Sequence, residues 1–236
     1  SGVKIKAALC AAADGRASAL RRMTDIKIST WSYKQTAIVC CIEHEKPHHG
    51  LAMENFMPHG PFASLPMQGQ RSSIVWSENP EYVSDLMALE EDKFCEQILL
   101  RLGPTLGSIR LLGKRWAYPL SGHVMHSYID RRLVFVGDAA HGMHPIAGQG
   151  FNVGVKDIAV LAEVIIETKQ KGLDLGGYTA LEKYQRRRRF DSFVMVGVTD
   201  LLTRGFSNQI PPLRILRRMG LSLVEAIPSL KTFFMK

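Results

Sequence analysis

The stretch that decides the fold is RLVFVGDAAHGMHPIAGQGFNVGVKDIAVLAEVII, residues 132–166. It opens with a short apolar run at 133–136, rich in β-branched residues, which predicts a buried strand. Gly137 and Asp138 end that run. Open α/β sheets usually place ligand-contacting residues at the carboxyl ends of their strands, so Asp138 is a candidate for ligand contact.

A glycine-rich loop follows the strand and leads into a predicted amphipathic helix. The buried face of this helix is predicted from an apolar repeat at Val155, Ile158, Ala159, Ala162, Ile165 and Ile166. The N-terminus of a helix has unpaired N–H donors and partial positive charge, so it suits an anionic or carbonyl-bearing group. The alternative is a tight connection whose glycines only allow close packing. The combination of GD, HP, GQG and Asn152 favours a ligand site.

The bulk composition is that of an ordinary globular protein of one large or two modest domains, with 236 residues of which 46% are hydrophobic and 22% charged. A net charge of +8 suits an acidic partner such as a phosphate-bearing cofactor or an anionic lipid surface. Because no basic motif interleaved with aromatic residues is present, nucleic acid is not expected as a partner. Four cysteines without CxxC spacing indicate reduced thiols and a cytoplasmic location. No apolar run approaches the ~20 residues that cross a bilayer, so membrane contact is expected to be peripheral at most, on the inner face.

The N-terminal part is predicted to form a buried strand, Ile5 to Ala12, that runs into a turn at Asp14-Gly15. Ser18 is predicted to cap a short helical segment over 19–22.

The middle of the chain predicts a sheet with helices against one side. Strands are expected at 33–42, 71–76 and 109–118, the last ending at Pro119, and helices at 79–89 and 92–102. The polar segment 43–50 reads as a hairpin loop, and its histidines lack the spacing of a metal site.

The C-terminal region predicts a helix from Tyr178 to Val198. Its run of four arginines, 186–189, is interpreted as a solvated helix face. A second, amphipathic helix is predicted at 213–226, and its basic, apolar character suits a membrane surface. It equally suits packing on its own domain or on a partner subunit.

Two segments of the central stretch, GDAAH at 137–141 and HPIAGQGFNVGVKD at 144–157, resemble the second FAD-binding motif of the class A flavoprotein aromatic hydroxylases. The wording HPIAGQGFN is most similar to the ubiquinone-biosynthesis hydroxylase branch. Asp14-Gly15-Arg16 resembles the DG motif of the same family. GPFASLPM at 60–67 and SSIVW at 72–76 resemble its substrate-domain hairpin.

The resemblance implies a set of residues that contact FAD: Asp14, Gly15, Arg16, Gly137, Asp138, Pro145, Gly148, Gln149, Gly150, Phe151 and Asn152. Asp138 would accept a hydrogen bond from a ribityl hydroxyl, and Asp14 would lie near FAD and the path of NADPH. Phe62, Trp116 and Tyr118 are the aromatic residues expected near a substrate cavity, with core packing as the alternative for each. Since the cofactor carries the difficult chemistry, no catalytic side chain is assigned.

The implied fold is α+β. It combines a mixed β-sheet substrate domain with helices on one face, the C-terminal part of a Rossmann-like FAD-binding domain, and a helical C-terminal region. The expected segments are a remnant of the FAD-binding domain at 1–24, the substrate domain at 25–120, a returning FAD-binding segment at 121–170 and C-terminal helices at 171–236. Because the chain contains no GxGxxG, we expect that it begins inside its FAD domain and by itself retains FAD poorly and is inactive.

The implied activity is that of an FAD-dependent monooxygenase that uses NADPH or NADH and O2 to hydroxylate a polyprenylated phenol in ubiquinone biosynthesis. Other proteins of that pathway are potential partners. Two alternatives stay open. One is a related flavoprotein acting on another aromatic substrate, and the other is a non-catalytic module that binds lipid or a protein partner in a biosynthetic complex.

Overall fold

The computed structural model describes residue 2 and residues 4–206. Its helices and strands follow in the order β1 (Cys10–Ala12), α1 (Ala19–Arg22), β2 (Ile28–His44), β3 (Met53–Met57), β4 (Gly60–Met67), β5 (Arg71–Glu78), α2 (Pro80–Ala88), α3 (Glu91–Leu102), β6 (Ile109–Met125), β7 (Ile129–Asp130), β8 (Leu133–Phe135), β9 (His141–Gly142), α4 (Gln149–Gln170) and α5 (Tyr178–Phe206). The predicted helix at 213–226 lies outside the described residues.

The chain divides into two compact units. The first unit is formed by the residues up to 33 and by 120–201, and the second centres on 34–119. The α+β fold is confirmed by this mixture of sheets and helices. Within the described part of the chain, no helix is both long enough and apolar enough to cross a membrane.

The first unit contains a three-stranded sheet in the order β1-β8-β7, in which β1 runs parallel to β8. The predicted strand at 133–136 is confirmed as β8, but the strand predicted from Ile5 to Ala12 is shorter than expected. Only Cys10 to Ala12 is extended and paired, because β8 offers just three partner residues. Ile5 is 86% exposed, so it does not belong to the core.

Helix α4 has the predicted position, but its buried face was predicted wrongly. The residues that the apolar repeat assigned to the core are largely exposed; Ile158, for example, is 56% exposed. The buried stripe is instead Val153, Asp157, Leu161, Val164 and Thr168. This stripe contains two polar side chains that find partners inside the protein, so hydrophobicity alone selected the wrong face.

Helix α5 corrects the interpretation of the arginine run. Three of its members are exposed, as expected of a solvated face, but Arg188 is only 2% exposed. Its guanidinium Nε donates to Asp157 Oδ1 at 2.7 Å, which explains how the charge is tolerated inside. One turn earlier, the Tyr184 hydroxyl donates to the Phe135 carbonyl at 2.9 Å and attaches the helix to β8.

The second unit contains strands β3, β4 and β5 with the adjoining parts of β2 and β6, hydrogen-bonded in the order β3-β4-β5-β2-β6. Phe62, Trp76 and Ile38 lie opposite one another on adjacent strands, and helix α3 covers their side of the sheet with Phe94 and Ile98. Their shared burial produces a second core cluster, separate from that of the first unit. Helices on one face of the sheet were predicted, and this is confirmed.

The helices of this sheet follow the predictions closely. Helix α2 begins at Pro80, and its N-cap Asn79 accepts a hydrogen bond from the Glu81 amide at 3.2 Å. Helix α3 buries Phe94, Ile98 and Leu102, the three residues predicted for its apolar face.

The prediction for the last long strand was wrong about its end, because β6 continues through Pro119 to Met125. A proline is compatible with a strand where its position does not have to donate a hydrogen bond. The long strands β2 and β6 therefore both pass from one unit into the other.

Candidate functional site

The site is centred on the tight 3-10 turn that follows β8, residues 137–139. Gly137 has a φ of +57°, a conformation that favours glycine. A Cβ on Gly154 would lie 3.4 Å from the Gly137 Cα, so α4 passes directly against the turn. The close approach places Asp138 at the strand's carboxyl end with its side chain 46% exposed.

The turn lies beside the segment that resembles the DG motif. Arg16 Nη1 donates to the Ser121 carbonyl at 2.5 Å and to the Ser121 hydroxyl at 3.0 Å, while Arg16 Nε lies 3.7 Å from Asp138 Oδ2. The structure thus brings together Arg16 and Asp138, which are 122 positions apart in the sequence. Both side chains are partly exposed, so the ion pair remains accessible to a ligand.

Asp14 and Gly15 shape the turn before α1. The Asp14 carboxylate accepts a hydrogen bond from the Leu20 amide at 3.1 Å, and the Ser18 hydroxyl accepts one from the Arg21 amide at 2.9 Å, which confirms Ser18 as the cap. Burial alone would raise the pKa of Asp14, but hydrogen bonds from Ser18 and Leu20 bring that pKa below its ordinary value. Gly15 has a φ of +76°, a conformation that favours glycine at this turn.

Arg21 joins the same turns, although the sequence analysis did not single it out. Its guanidinium donates to the Ala139 carbonyl at 2.8 Å through Nη1 and to the Arg16 carbonyl at 2.5 Å through Nη2. Its position on the first helical turn after the DG-like segment was the available signal.

His123 lies inside β6, where it is 4% exposed. Its Nε2 lies 2.9 Å from the Asp138 carbonyl, which assigns the proton to that nitrogen. Burial lowers the pKa of His123, the hydrogen bond to Asp138 opposes this effect and the nearby Arg21 and Arg16 add to it, so that the pKa is about 4. At neutral pH this histidine is therefore an uncharged donor that supports the backbone of the turn.

The start of α4 is open. Gly148 is the N-cap with a φ of +62°, and no side chain in the described part of the chain caps the helix there. The first turn has no acidic residue, and a Cβ on Gly148 or Gly150 would meet nothing within 4 Å. The N–H groups of this turn can therefore bind an external acceptor with partial negative charge. This arrangement fits the carbonyl-bearing pyrimidine ring of a flavin.

The remaining residues of this loop surround that opening. Phe151 is 81% exposed, Pro145 is exposed with a φ of −69°, and Asn152 Nδ2 donates to Gln149 Oε1 at 3.2 Å. His144, just before the proline, is fully buried and accepts a hydrogen bond from the Ile146 amide at 3.1 Å. Burial lowers the pKa of His144 to about 4.

A buried network behind the turn was missed by the sequence analysis. Asp157 is 0% exposed, and its Oδ2 accepts hydrogen bonds from the Gly137 amide at 2.9 Å and from His141 Nε2 at 2.7 Å. Its Oδ1 accepts from Arg188. Burial would raise the pKa of Asp157, but its bonds to His141, Arg188 and Gly137 lower that pKa, so the carboxylate is ionised. A hydrophobic repeat cannot reveal a buried charge, although Asp157 does lie within the recognised motif.

The three aromatic candidates for substrate contact lie in the second unit. Phe62 is 1% exposed and its ring centroid lies 6.1 Å from that of Trp76, so its burial supports the core-packing alternative. Trp116 and Tyr118 are 54% and 53% exposed. Arg115, the residue before Trp116, lies over the Phe94 ring on the helix-covered side, so alternation along the strand directs both aromatic side chains to the opposite face.

That opposite face of the sheet is open and apolar. Val39, Ala63 and Val75 lie opposite one another on three adjacent strands and are only partly buried. They alternate with the fully buried residues of the helix-covered face. The second unit thus has one fully buried apolar face and one whose middle is only partly buried.

Comparison with known proteins identifies the family to which the chain is similar. Residues 1–192 match the family whose description is FAD binding domain. The ubiquinone hydroxylase UbiL of Rhodospirillum rubrum is 46% identical over 235 residues, which cover 100% of this chain and 55% of that protein. The 3-demethoxyubiquinol 3-hydroxylase of Escherichia coli is 34% identical over 230 residues, covering 98% of this chain and 59% of that protein. The chain therefore spans somewhat more than half the length of these relatives.

Solved structures agree on the fold. The p-nitrophenol 4-monooxygenase PnpA of Pseudomonas putida has a TM-score of 0.72 at 21% identity, over 94% of this chain and 56% of that protein. PqsL of Pseudomonas aeruginosa, described as a probable FAD-dependent monooxygenase, has a TM-score of 0.68 at 22% identity, over 85% of this chain and 57% of that protein. At such identities the likeness concerns the fold alone.

Proposed function

Because the chain belongs to the FAD-binding-domain family, we propose that the protein containing it is an FAD-dependent monooxygenase that uses NADPH or NADH to hydroxylate a polyprenylated phenol in ubiquinone biosynthesis. The observation that carries this proposal is the open start of α4 close to the Asp138 turn. The substrate class is supported by the relatives, whose names describe ubiquinone hydroxylases.

The residues of the first unit would hold the cofactor. The Asp138 carboxylate would accept a hydrogen bond from a ribityl hydroxyl, and Arg16 beside it would orient that carboxylate. The N–H groups at the start of α4 would stabilise negative charge on the pyrimidine ring. Bound FAD would supply the redox chemistry: with two electrons from the nicotinamide, one oxygen atom of O2 would enter the phenol ring and the other would leave as water.

The open face of the sheet in the second unit would bind the phenol and its prenyl chain. Trp116 and Tyr118 offer exposed aromatic surface there, and Val39, Ala63 and Val75 offer aliphatic surface. Apolar surface of this kind favours an apolar ring because contact removes both surfaces from water. Phe62 would support this sheet from its covered side rather than touch the substrate.

We also propose a cytoplasmic location with peripheral contact to the inner face of the membrane. Contact with other proteins of the pathway is a further part of this proposal. The support is the net charge of +8, which favours anionic lipid, and the apolar nature of the substrate. Sedimentation with anionic vesicles tests the membrane contact, and binding that is unaffected by salt would contradict its electrostatic basis.

The direct test uses the natural full-length protein with FAD, NADPH or NADH, and a polyprenylated phenol. We expect substrate-dependent O2 consumption and a product heavier by one oxygen atom. Trp116→Ala should raise KM for the phenol while the affinity for FAD is unchanged. Leu100→Ala, an exposed position on helix α3, is the matched control and should alter neither.

Quinone profiling of a deletion strain separates the alternatives. A normal ubiquinone pool would contradict the pathway, and O2 consumption with a different aromatic compound would favour a related hydroxylase. A full-length protein that binds lipid but no FAD would favour the non-catalytic module.

A further inference from the structure

Asp157 and Arg188 form a buried ion pair directly behind the turn that carries Asp138. Their side chains are 0% and 3% exposed, and the bond between Oδ1 and Nε is 2.7 Å. Burying two charges costs solvation, and a well-packed apolar pair often stabilises a fold equally well or better. Stability alone therefore does not account for an ion pair at this place, whereas a need for a fixed geometry does.

The geometry that the pair fixes is that of the turn. Asp157 Oδ2 accepts hydrogen bonds from the Gly137 amide, which precedes Asp138, and from the His141 ring, which follows it. One carboxylate oxygen thus holds the turn on both sides of Asp138. Arg188 occupies the other oxygen, so the carboxylate of Asp157 cannot rotate without breaking a charge-assisted bond.

The pair also connects the turn to both long helices of the first unit. Asp157 lies on α4, one turn beyond Gly154, whose Cα lies against Gly137. Arg188 lies on α5, where Nη1 also donates to Asp191 Oδ2 at 3.0 Å. A displacement of either helix would therefore be transmitted to Gly137 and to the Asp138 carboxylate.

We propose that Asp157 and Arg188 are positioning residues of the flavin site, which act through Gly137 and His141 to hold Asp138 where it meets the ribityl chain. This inference rests on the proposed function, since it requires that FAD binds. The proposal predicts a difference between the two halves of FAD that a general loss of protein stability would not produce. Losing the pair should weaken binding of the flavin half of FAD and leave binding of the adenosine diphosphate half unchanged.

The experiment compares Arg188→Met with Arg189→Met, its exposed neighbour in the arginine run, in the natural full-length protein. Dissociation constants for FAD and riboflavin come from flavin fluorescence, and that for ADP from competition. We expect Arg188→Met to raise the constants for FAD and riboflavin about 10- to 100-fold, the factor that corresponds to the loss of one hydrogen bond to a charged group. The constant for ADP should stay within about twofold.

Asp157→Asn and Arg188→Lys provide a graded pair of further variants and cover the case in which Arg188→Met fails to fold. Lysine keeps the charge, whereas asparagine keeps the size and an acceptor for Gly137 but leaves Arg188 without its carboxylate, so FAD affinity should be weakened less in Arg188→Lys than in Asp157→Asn. Equal FAD affinity in Arg188→Met and Arg189→Met would overturn the inference, and so would an equal loss of FAD and ADP binding. Failure of the wild type to bind FAD would overturn the proposed function itself.

Discussion

Gly142 is a residue whose missing side chain makes room for the site. A Cβ at this position would lie 2.5 Å from Cε1 of His123 and 2.9 Å from Nη2 of Arg16. We expect Gly142→Ala to lower the free energy of unfolding by about 1–3 kcal/mol, because both neighbours would have to move. Gly197→Ala is the control, since a Cβ there meets nothing within 4 Å and helix propensity should stabilise α5 by about 0.5–1 kcal/mol. Urea unfolding measures both, and equal stability of the two variants would contradict this account.

His123 and His144 make stability depend on pH in a window set by their pKa values. Burial lowers the pKa of each to about 4, whereas an unfolded histidine titrates near 6.5. Between those values the unfolded chain binds more protons than the folded one, so the free energy of unfolding falls as pH falls. By pH 5 the loss should approach about 2 kcal/mol for each histidine. Unfolding curves at pH 7 and 5 should show this loss reduced in His123→Gln and unchanged in the exposed variant His49→Gln; a loss of equal size in all three proteins would refute it.

At the scale of secondary-structure elements, Arg101 connects helix α3 to strand β5. Its guanidinium carbon lies 3.9 Å from the centroid of the Trp76 ring, and Nη2 lies 3.8 Å from Oε2 of Glu78, whose side chain is 7% exposed. Arg101→Met should cost about 2–4 kcal/mol of stability, because it leaves a buried carboxylate without its cation. Adding Glu78→Gln should restore part of the loss. Arg110→Met, which removes an exposed partner of Glu43, should cost less than about 1 kcal/mol. A double variant no more stable than Arg101→Met in chemical denaturation would exclude the unpaired charge as the cause.

Helices α3 and α4 show where prediction from the sequence succeeded and where it failed. Helix α3 was predicted with its buried face, because its core positions are all apolar and spaced as a helix requires. Helix α4 was predicted in position but not in orientation, since its buried stripe includes Asp157 and its exposed face is apolar. The motif identified Asp138, but the contacts from Arg21 and His123 depend on strands and turns that are distant in sequence. Hydrophobic periodicity records which residues avoid water, and it cannot record which charges find partners inside.

At the scale of the whole molecule, binding of FAD should stabilise the fold by contacting distant parts of the chain. The residues proposed to bind it come from a turn near Asp14, a turn at Asp138 and the start of α4, and only the folded chain brings the two turns together. A ligand that binds only the folded state stabilises it by about 2.7 kcal/mol at a concentration of 100 times Kd. Removing FAD from the natural full-length protein should therefore lower Tm, and adding FAD should restore it. Trp116→Ala, which changes a residue on the opposite sheet face, should show the same FAD-dependent shift in Tm as the wild type. An identical Tm of the wild type with and without FAD would contradict stabilisation by FAD.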